Sequence, residues 1–232
     1  SIVEVASGQI SDLATSAAPE TSPLYSPDGK SIAVLASDVP ARWAGSGIIQ
    51  IFSAAGGPPR NAVGSFDAQP AVAGWSSDGK RIYFSEAKGT GTQIYSLDVA
   101  ANRIEEIKTT PAVLGAVSLN SSGTTFAFVR QTSDTPPDVF IASAANFTPV
   151  QVTRVNEGLQ IPAVGRTEVI TWKSKDGKDI EGLLTYPVGY QAGQRVPMML
   201  NVHGGPAGVF VQTFIGGRGV YPLATFATRG YA

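Results

Sequence analysis

Cysteine is absent from this chain of 232 residues, and histidine occurs once, at His203. The first absence excludes disulfides and cysteine nucleophiles, and the two together exclude the usual His/Cys zinc sites. A single histidine also means that a Ser-His-Asp triad within the chain would have to use His203 as its base. Charge is scarce: Asp, Glu, Lys and Arg make up 15% of the residues, and the net charge is −1. That balance gives no electrostatic case for nucleic acid or for an anionic membrane. No apolar run approaches the roughly 18 residues of a membrane span. The chain has no initiating methionine, and Ser1-Ile-Val-Glu-Val5 opens inside a strand-like run with no leader pattern. The expectation is that residues precede it, so cytoplasm and periplasm both stay open. Hydrophobic residues reach 43%, the composition of a chain that builds a core.

What is present is a repeat. Ser22-Pro-Leu-Tyr-Ser-Pro-Asp-Gly-Lys-Ser-Ile-Ala-Val-Leu-Ala36, Val72-Ala-Gly-Trp-Ser-Ser-Asp-Gly-Lys-Arg-Ile-Tyr-Phe-Ser-Glu86 and Ala116-Val-Ser-Leu-Asn-Ser-Ser-Gly-Thr-Thr-Phe-Ala-Phe-Val-Arg130 align on Gly29, Gly79 and Gly123, which lie 50 and 44 residues apart. Asp-Gly or Ser-Gly between two alternating runs is a hairpin signal, because glycine supplies the positive φ of the turn. Two further strand-like runs follow each hairpin: 48–52 and 60–63, then 93–98 and 103–107, then 138–142 and 150–152. Four short strands per unit of 40–50 residues is the signature of propeller blades. Residues 2–5 and 9–13 read as the outer strands of an earlier blade. Residues 1–153 are therefore expected to form a partial β-propeller of about three and a half four-stranded antiparallel blades.

Past Thr153 the repeat stops. Residues 154–165 read as a linker, and 168–173 and 180–186 as a hairpin around Asp176-Gly177. Then comes Val196-Pro-Met-Met-Leu-Asn-Val-His203-Gly204-Gly205-Pro206. A continuous apolar run bounded by turn residues predicts a strand buried on both faces. Two glycines at its carboxyl end let backbone N–H groups approach a substrate, at the edge of the sheet where α/β proteins bind ligands. N–H groups aimed at a developing negative oxygen form an oxyanion hole, which supplies a large share of the rate enhancement in acyl transfer. A glycine-rich segment, 208–219, follows and is expected to be mobile. Residues 221–229 carry a helical pattern stopped by Gly230, and Tyr231-Ala232 would open the next strand.

Taken together, the Ser-Pro-Asp-Gly-Lys hairpins, Asp176-Gly177 with Glu181-Gly182, His203-Gly-Gly-Pro206 and Ala227-Thr-Arg-Gly-Tyr231 resemble the prolyl oligopeptidase family of serine peptidases, in its acylaminoacyl-peptidase-like and dipeptidyl-aminopeptidase-like branch. The likeness runs the length of the chain. It implies the N-terminal part of an α/β-hydrolase domain over residues 166–232, after the propeller. It further implies a short peptide substrate, no cofactor, no metal, and an oxyanion-hole N–H at Gly205. His203, Gly204 and Pro206 would shape that loop, and His203 would not be the triad base. The family's nucleophile elbow, Gly-x-Ser-x-Gly, is absent from the sequence. The expected partner is therefore the remainder of the same polypeptide, holding nucleophile, acid and base. Oligomeric state stays open.

Blander readings stand beside these. His203 could be an ordinary histidine at a strand end. Ser77-Asp-Gly-Lys80 fits Ser-x-x-Lys but lies in a blade hairpin, and Gly89-Thr-Gly91 reads as a hairpin tip. Tyr25, Trp75 and Leu119 share one blade position and read as core between blades. Residues 38–47 and 131–137 read as solvent loops, with shaping of substrate access as the alternative. A TolB-like propeller that binds without chemistry would account for residues 1–153 but not for 166–232.

Overall fold

The computed structural model describes every residue except 41–44, 162, 206 and 218. Alternating apolar and polar residues around Asp-Gly turns produce three four-stranded antiparallel sheets, each a simple meander. The first contains β3 (Glu20–Tyr25), β4 (Ser31–Ser37), β5 (Gly47–Ser53) and β6 (Arg60–Asn61), and follows a short pair, β1 (Ile2–Val3) and β2 (Ile10–Ser11). The second contains β7 (Ala71–Trp75), β8 (Arg81–Lys88), β9 (Gly91–Asp98) and β10 (Arg103–Ile107). The third contains β11 (Val113–Leu119), β12 (Thr125–Gln131), β13 (Asp138–Ser143) and β14 (Val150–Gln151). These are propeller-like blades, and the described strands close no barrel.

The core lies between blades, not within them. Ala33, Ile49 and Ile51 of the first blade pack on Trp75, Ile82, Phe84 and Leu97 of the second. Tyr83 and Ile94, from the second blade's other face, pack on Leu114, Phe126 and Phe128 of the third. The opening strands β3, β7 and β11 approach one another in turn, as inner strands around a common axis do. Each of the three is bulged near the same point, at Thr21/Leu24, Val72/Gly74 and Gly115/Ser118. Ser22 and Ala116 take a left-handed φ of 54° and 48° there. A bulge bends an edge strand and sharpens its twist.

The hairpin turns repeat atom for atom. Ser26 Oγ donates to Asp28 (2.6 Å) and accepts from Ser31 N–H (2.9 Å); Ser76 Oγ donates to Asp78 (2.7 Å) and accepts from Arg81 N–H (2.9 Å). In the third blade Asn120 substitutes, its Oδ1 accepting from Thr124 and Thr125 N–H. Trp75 is buried and its Nε1–H donates to Leu24 O of the blade before (3.1 Å). Leu119 is half-buried against the third blade's core. Tyr25, read as core from its position, is instead 55% exposed, because no described residue covers its face of β3.

Beyond the blades, β15 (Thr167–Lys173) and β16 (Asp179–Thr185) form the hairpin expected around Asp176-Gly177. The helix is α1 (Leu223–Thr228). It ends in a Schellman motif: Gly230, at φ 84°, donates its N–H to Ala227 O, and Tyr231 N–H donates to Phe226 O.

One expectation is corrected here. Residues 196–202 are not a buried strand: no ladder forms along them, and Leu200 is 76% exposed. Ladder bonds and burial both come from neighbours, and among the described residues the backbone partner of this run is Ala232. Ala232 N–H donates to Pro197 O (2.9 Å), and Ala232 O accepts from Met199 N–H (2.7 Å). Bonds from one residue to two positions that flank Met198 are the pattern of a parallel pair. After α1 the chain thus returns to lie beside this run.

Candidate active site

His203, Gly204 and Gly205 follow this run on the surface. Gly205 has φ +141°, and a Cβ there would lie 2.5 Å from Gly208 N and 3.0 Å from Ala207 N. The turn therefore accepts only glycine at this position. The His203 ring stands edge-on to Phe210, with centroids 5.7 Å apart, and its Nδ1 lies 3.1 Å from Gly204 O. Phe210 in turn stands edge-on to Tyr221, 6.3 Å away. Pro206 lies outside the described residues.

The segment after Gly205 is docked, in contrast to the mobility its glycines suggest. Gln212 N–H donates to Thr90 O (2.8 Å), and its side-chain Nε2 donates to Thr90 Oγ1 (3.1 Å). Phe214 N–H donates to the Gln131 side-chain Oε1 (3.0 Å), and Ile215 N–H to Ser133 O (3.1 Å). Gly89-Thr90 is the two-residue turn between β8 and β9, and residues 132–137 connect β12 to β13. In a meander these two connections share one end of the blades, opposite the Asp-Gly turns. Of the two loops read as solvent-facing, 131–137 therefore meets the chain beyond Gly205; residues 41–44 of the other lie outside the described residues.

Between that end of the second blade and the Gly205 loop is a cleft of about 320 Å³, lined by Phe66, Asp67, Gln69, Gly89, Gly208 and Val209 among others. Burial, then the nearby Glu86 carboxylate, push the Asp67 carboxyl up from its ordinary value. Glu86 itself is 3% exposed. Its Oε1 accepts from Ser65 Oγ (2.7 Å) and Gln69 N–H (2.8 Å), and Oε2 is buried with no hydrogen-bond partner among the described residues. The hairpin β15–β16 reaches the same corner, since a Cβ on Gly89 would meet Glu181 Oε2 at 2.5 Å. No group of His, Asp and Glu among the described residues is arranged to hold a metal.

The arrangement is therefore a glycine turn beside a cleft whose other wall is the end of a blade. Sequence reasoning singled out the His203–Pro206 turn, and the structure places its described glycines on the surface beside this cleft. It missed Thr90, Gln131, Asp67 and Glu86 as neighbours of that loop, for single polar residues in blade connections carry no periodic signal.

No protein-family model matches the chain. It is 26% identical over 203 residues to dipeptidyl-peptidase 5 of Trichophyton equinum, covering 81% of this chain and 26% of that protein. With dipeptidyl-peptidase 5 of Porphyromonas gingivalis the identity is 22% over 188 residues, covering 81% and 27%. The chain thus spans about a quarter of the length of the curated relatives it matches. Among solved structures, Pyrococcus horikoshii acylaminoacyl peptidase superposes with a TM-score of 0.63 at 17% identity, over 88% of this chain and 30% of that one. A puromycin hydrolase superposes with a TM-score of 0.61 at 16% identity, over 95% and 42%. The relatives and the shared fold agree with the motifs in pointing to the prolyl oligopeptidase family of peptidases.

Proposed function

We propose that this chain is the gating and oxyanion half of a serine peptidase that hydrolyses short peptides through an acyl-enzyme. In this reading residues 1–153 are propeller, 154–165 linker and 166–232 the start of an α/β-hydrolase domain. Nucleophile, base and acid belong to polypeptide outside these residues, since the sequence holds no Gly-x-Ser-x-Gly elbow. The serine Oγ attacks the scissile carbonyl carbon while its proton passes to the base. The carbonyl oxygen becomes anionic and accepts hydrogen bonds from Gly205 N–H and from a second N–H beside the nucleophile. Collapse expels the amine, which takes the proton from the base, and water then hydrolyses the ester. His203 and Gly204 shape the donor loop, together with Pro206.

The observation that carries this reading is the glycine turn at the carboxyl end of a run that the chain rejoins after α1, beside the end of the blades. A propeller that only binds would leave that arrangement without a role. The test is intact mass followed by a fluorophosphonate probe, which captures an activated serine. The expected result is label on a polypeptide heavier than 24.1 kDa, or on a fragment that copurifies with it. A folded 24.1 kDa species that takes no label would contradict the proposal.

A further inference from the structure

We propose that Gln131, Thr90 and Gln212 are positioning residues for the Gly205 loop, so that the second and third blades hold this donor in place as well as limiting access to it. The inference rests on the peptidase reading above. The geometry is a strap with two ends. At one end, residues 212–215 are fixed to the blade connections: Gln212 by a backbone and a side-chain bond to Thr90, Phe214 by the Gln131 carboxamide, and Ile215 by Ser133 O. At the other end, Phe210 stands against the His203 ring, two residues before Gly205. Only Val211 separates the Phe210 contact from the first blade contact.

The partners differ in what they constrain. Gln212 and Ile215 bond backbone to backbone with the blades, and side-chain changes leave those bonds in place. Gln131 is different, because its side chain supplies the acceptor for Phe214 N–H, which is half-buried. Removing that oxygen leaves a donor without a partner, which a small loop shift would relieve. An oxyanion donor works only when it is aimed at where the charge develops, and a displacement of about 1 Å can cost on the order of 10²-fold in rate. The loop therefore has more to lose in kcat than in substrate binding.

The experiment uses the full-length protein and compares wild type, Gln131→Leu, Gln131→Glu, Gln212→Ala and Gly205→Pro. Glu at 131 keeps an acceptor oxygen, whereas Leu keeps only the shape. We expect Gln131→Leu to lower kcat roughly tenfold with KM within about twofold. Gln131→Glu should restore most of that loss, and Gln212→Ala should give a smaller loss of the same kind. Hydrogen exchange at Phe214 N–H, which needs no activity, should quicken in Gln131→Leu and slow again in Gln131→Glu. Unchanged exchange would show that the strap does not exist. Faster exchange with wild-type kcat, or a loss confined to KM, would overturn the positioning role. Should Gly205→Pro retain wild-type kcat, the oxyanion reading itself falls, whatever Gln131 does. If Gln131→Leu does not fold, Gln131→Ala, which also removes the acceptor for Phe214 N–H, carries the same kinetic test, and wild-type kinetics there would overturn the proposal.

Discussion

The blades and the chain beyond them use similar apolar residues and treat them differently. In the second and third blades Phe84, Ile82 and Phe126 are fully buried, because each lies on a sheet face that meets a neighbouring sheet. In residues 196–202 Met198 is 66% and Leu200 76% exposed, because one backbone neighbour cannot cover two faces. Burial belongs to a residue's partners, not to its hydropathy. The same contrast holds for glycines. Those of the blade turns set a left-handed φ in a tight hairpin, while those after Gly205 lie in a segment fixed by hydrogen bonds to the blades.

The largest expected effect sharpens this contrast directly. Phe84→Ala should destabilise the blades by about 3–5 kcal/mol in urea unfolding, the range for a large buried aromatic. Leu200→Ala should stay within about 0.5 kcal/mol in the same chain, as exposed substitutions do. Equal costs would break the comparison. Next come the turn glycines. A Cβ on Gly123 would lie 2.5 Å from Ser77 N and 2.8 Å from Trp75 O, both backbone atoms of the neighbouring blade, at φ +67°. Gly29 has a similar φ of +70° with nothing within 4 Å. Gly123→Ala should therefore cost about 2–3 kcal/mol and Gly29→Ala about 1 kcal/mol. Thermal unfolding of the two variants measures the difference. Trp75→Phe should lose about 1 kcal/mol through its bond to Leu24 O, read by the same measurement.

The smallest effect is electrostatic. The Ser76 hydroxyl, then Lys80 N–H, hold the Asp78 carboxyl below its ordinary value of 3.8. Ser26 does the same for Asp28, and Ser174 for Asp176. A carboxyl lowered on folding contributes stability that is complete above 3.8 and is lost as pH falls through the depressed value. In Ser76→Ala an NMR titration should find Asp78 moved up toward 3.8, with less acid sensitivity in that window. An unmoved Asp78 would mean that the serine bond does not set its charge.

Much of this architecture was legible in the sequence, for a local reason. Ser-x-Asp-Gly encodes a complete turn within five residues, so blade hairpins and their spacing could be read without tertiary knowledge. The glycine turn at 204–205 was legible in the same way, from two adjacent glycines after an apolar run, and Gly205 does take a positive φ. The failures were all tertiary. Tyr25 and residues 196–202 have core-like sequences, but no described residue covers them. The docking of 212–215 depends on Thr90 and Gln131, which lie 122 and 83 residues away from their partners Gln212 and Phe214. Two such residues have no spacing that a pattern search would register.

The most direct test of the central claim is the kcat of full-length protein carrying Gly205→Pro, measured on a short peptide. Proline removes the N–H and cannot adopt φ +141°. If Gly205 is an oxyanion donor, kcat should fall by roughly 10²–10³ while the blades unfold at the wild-type temperature. A wild-type kcat in a folded variant would contradict the assignment of this loop to the acyl-transfer site.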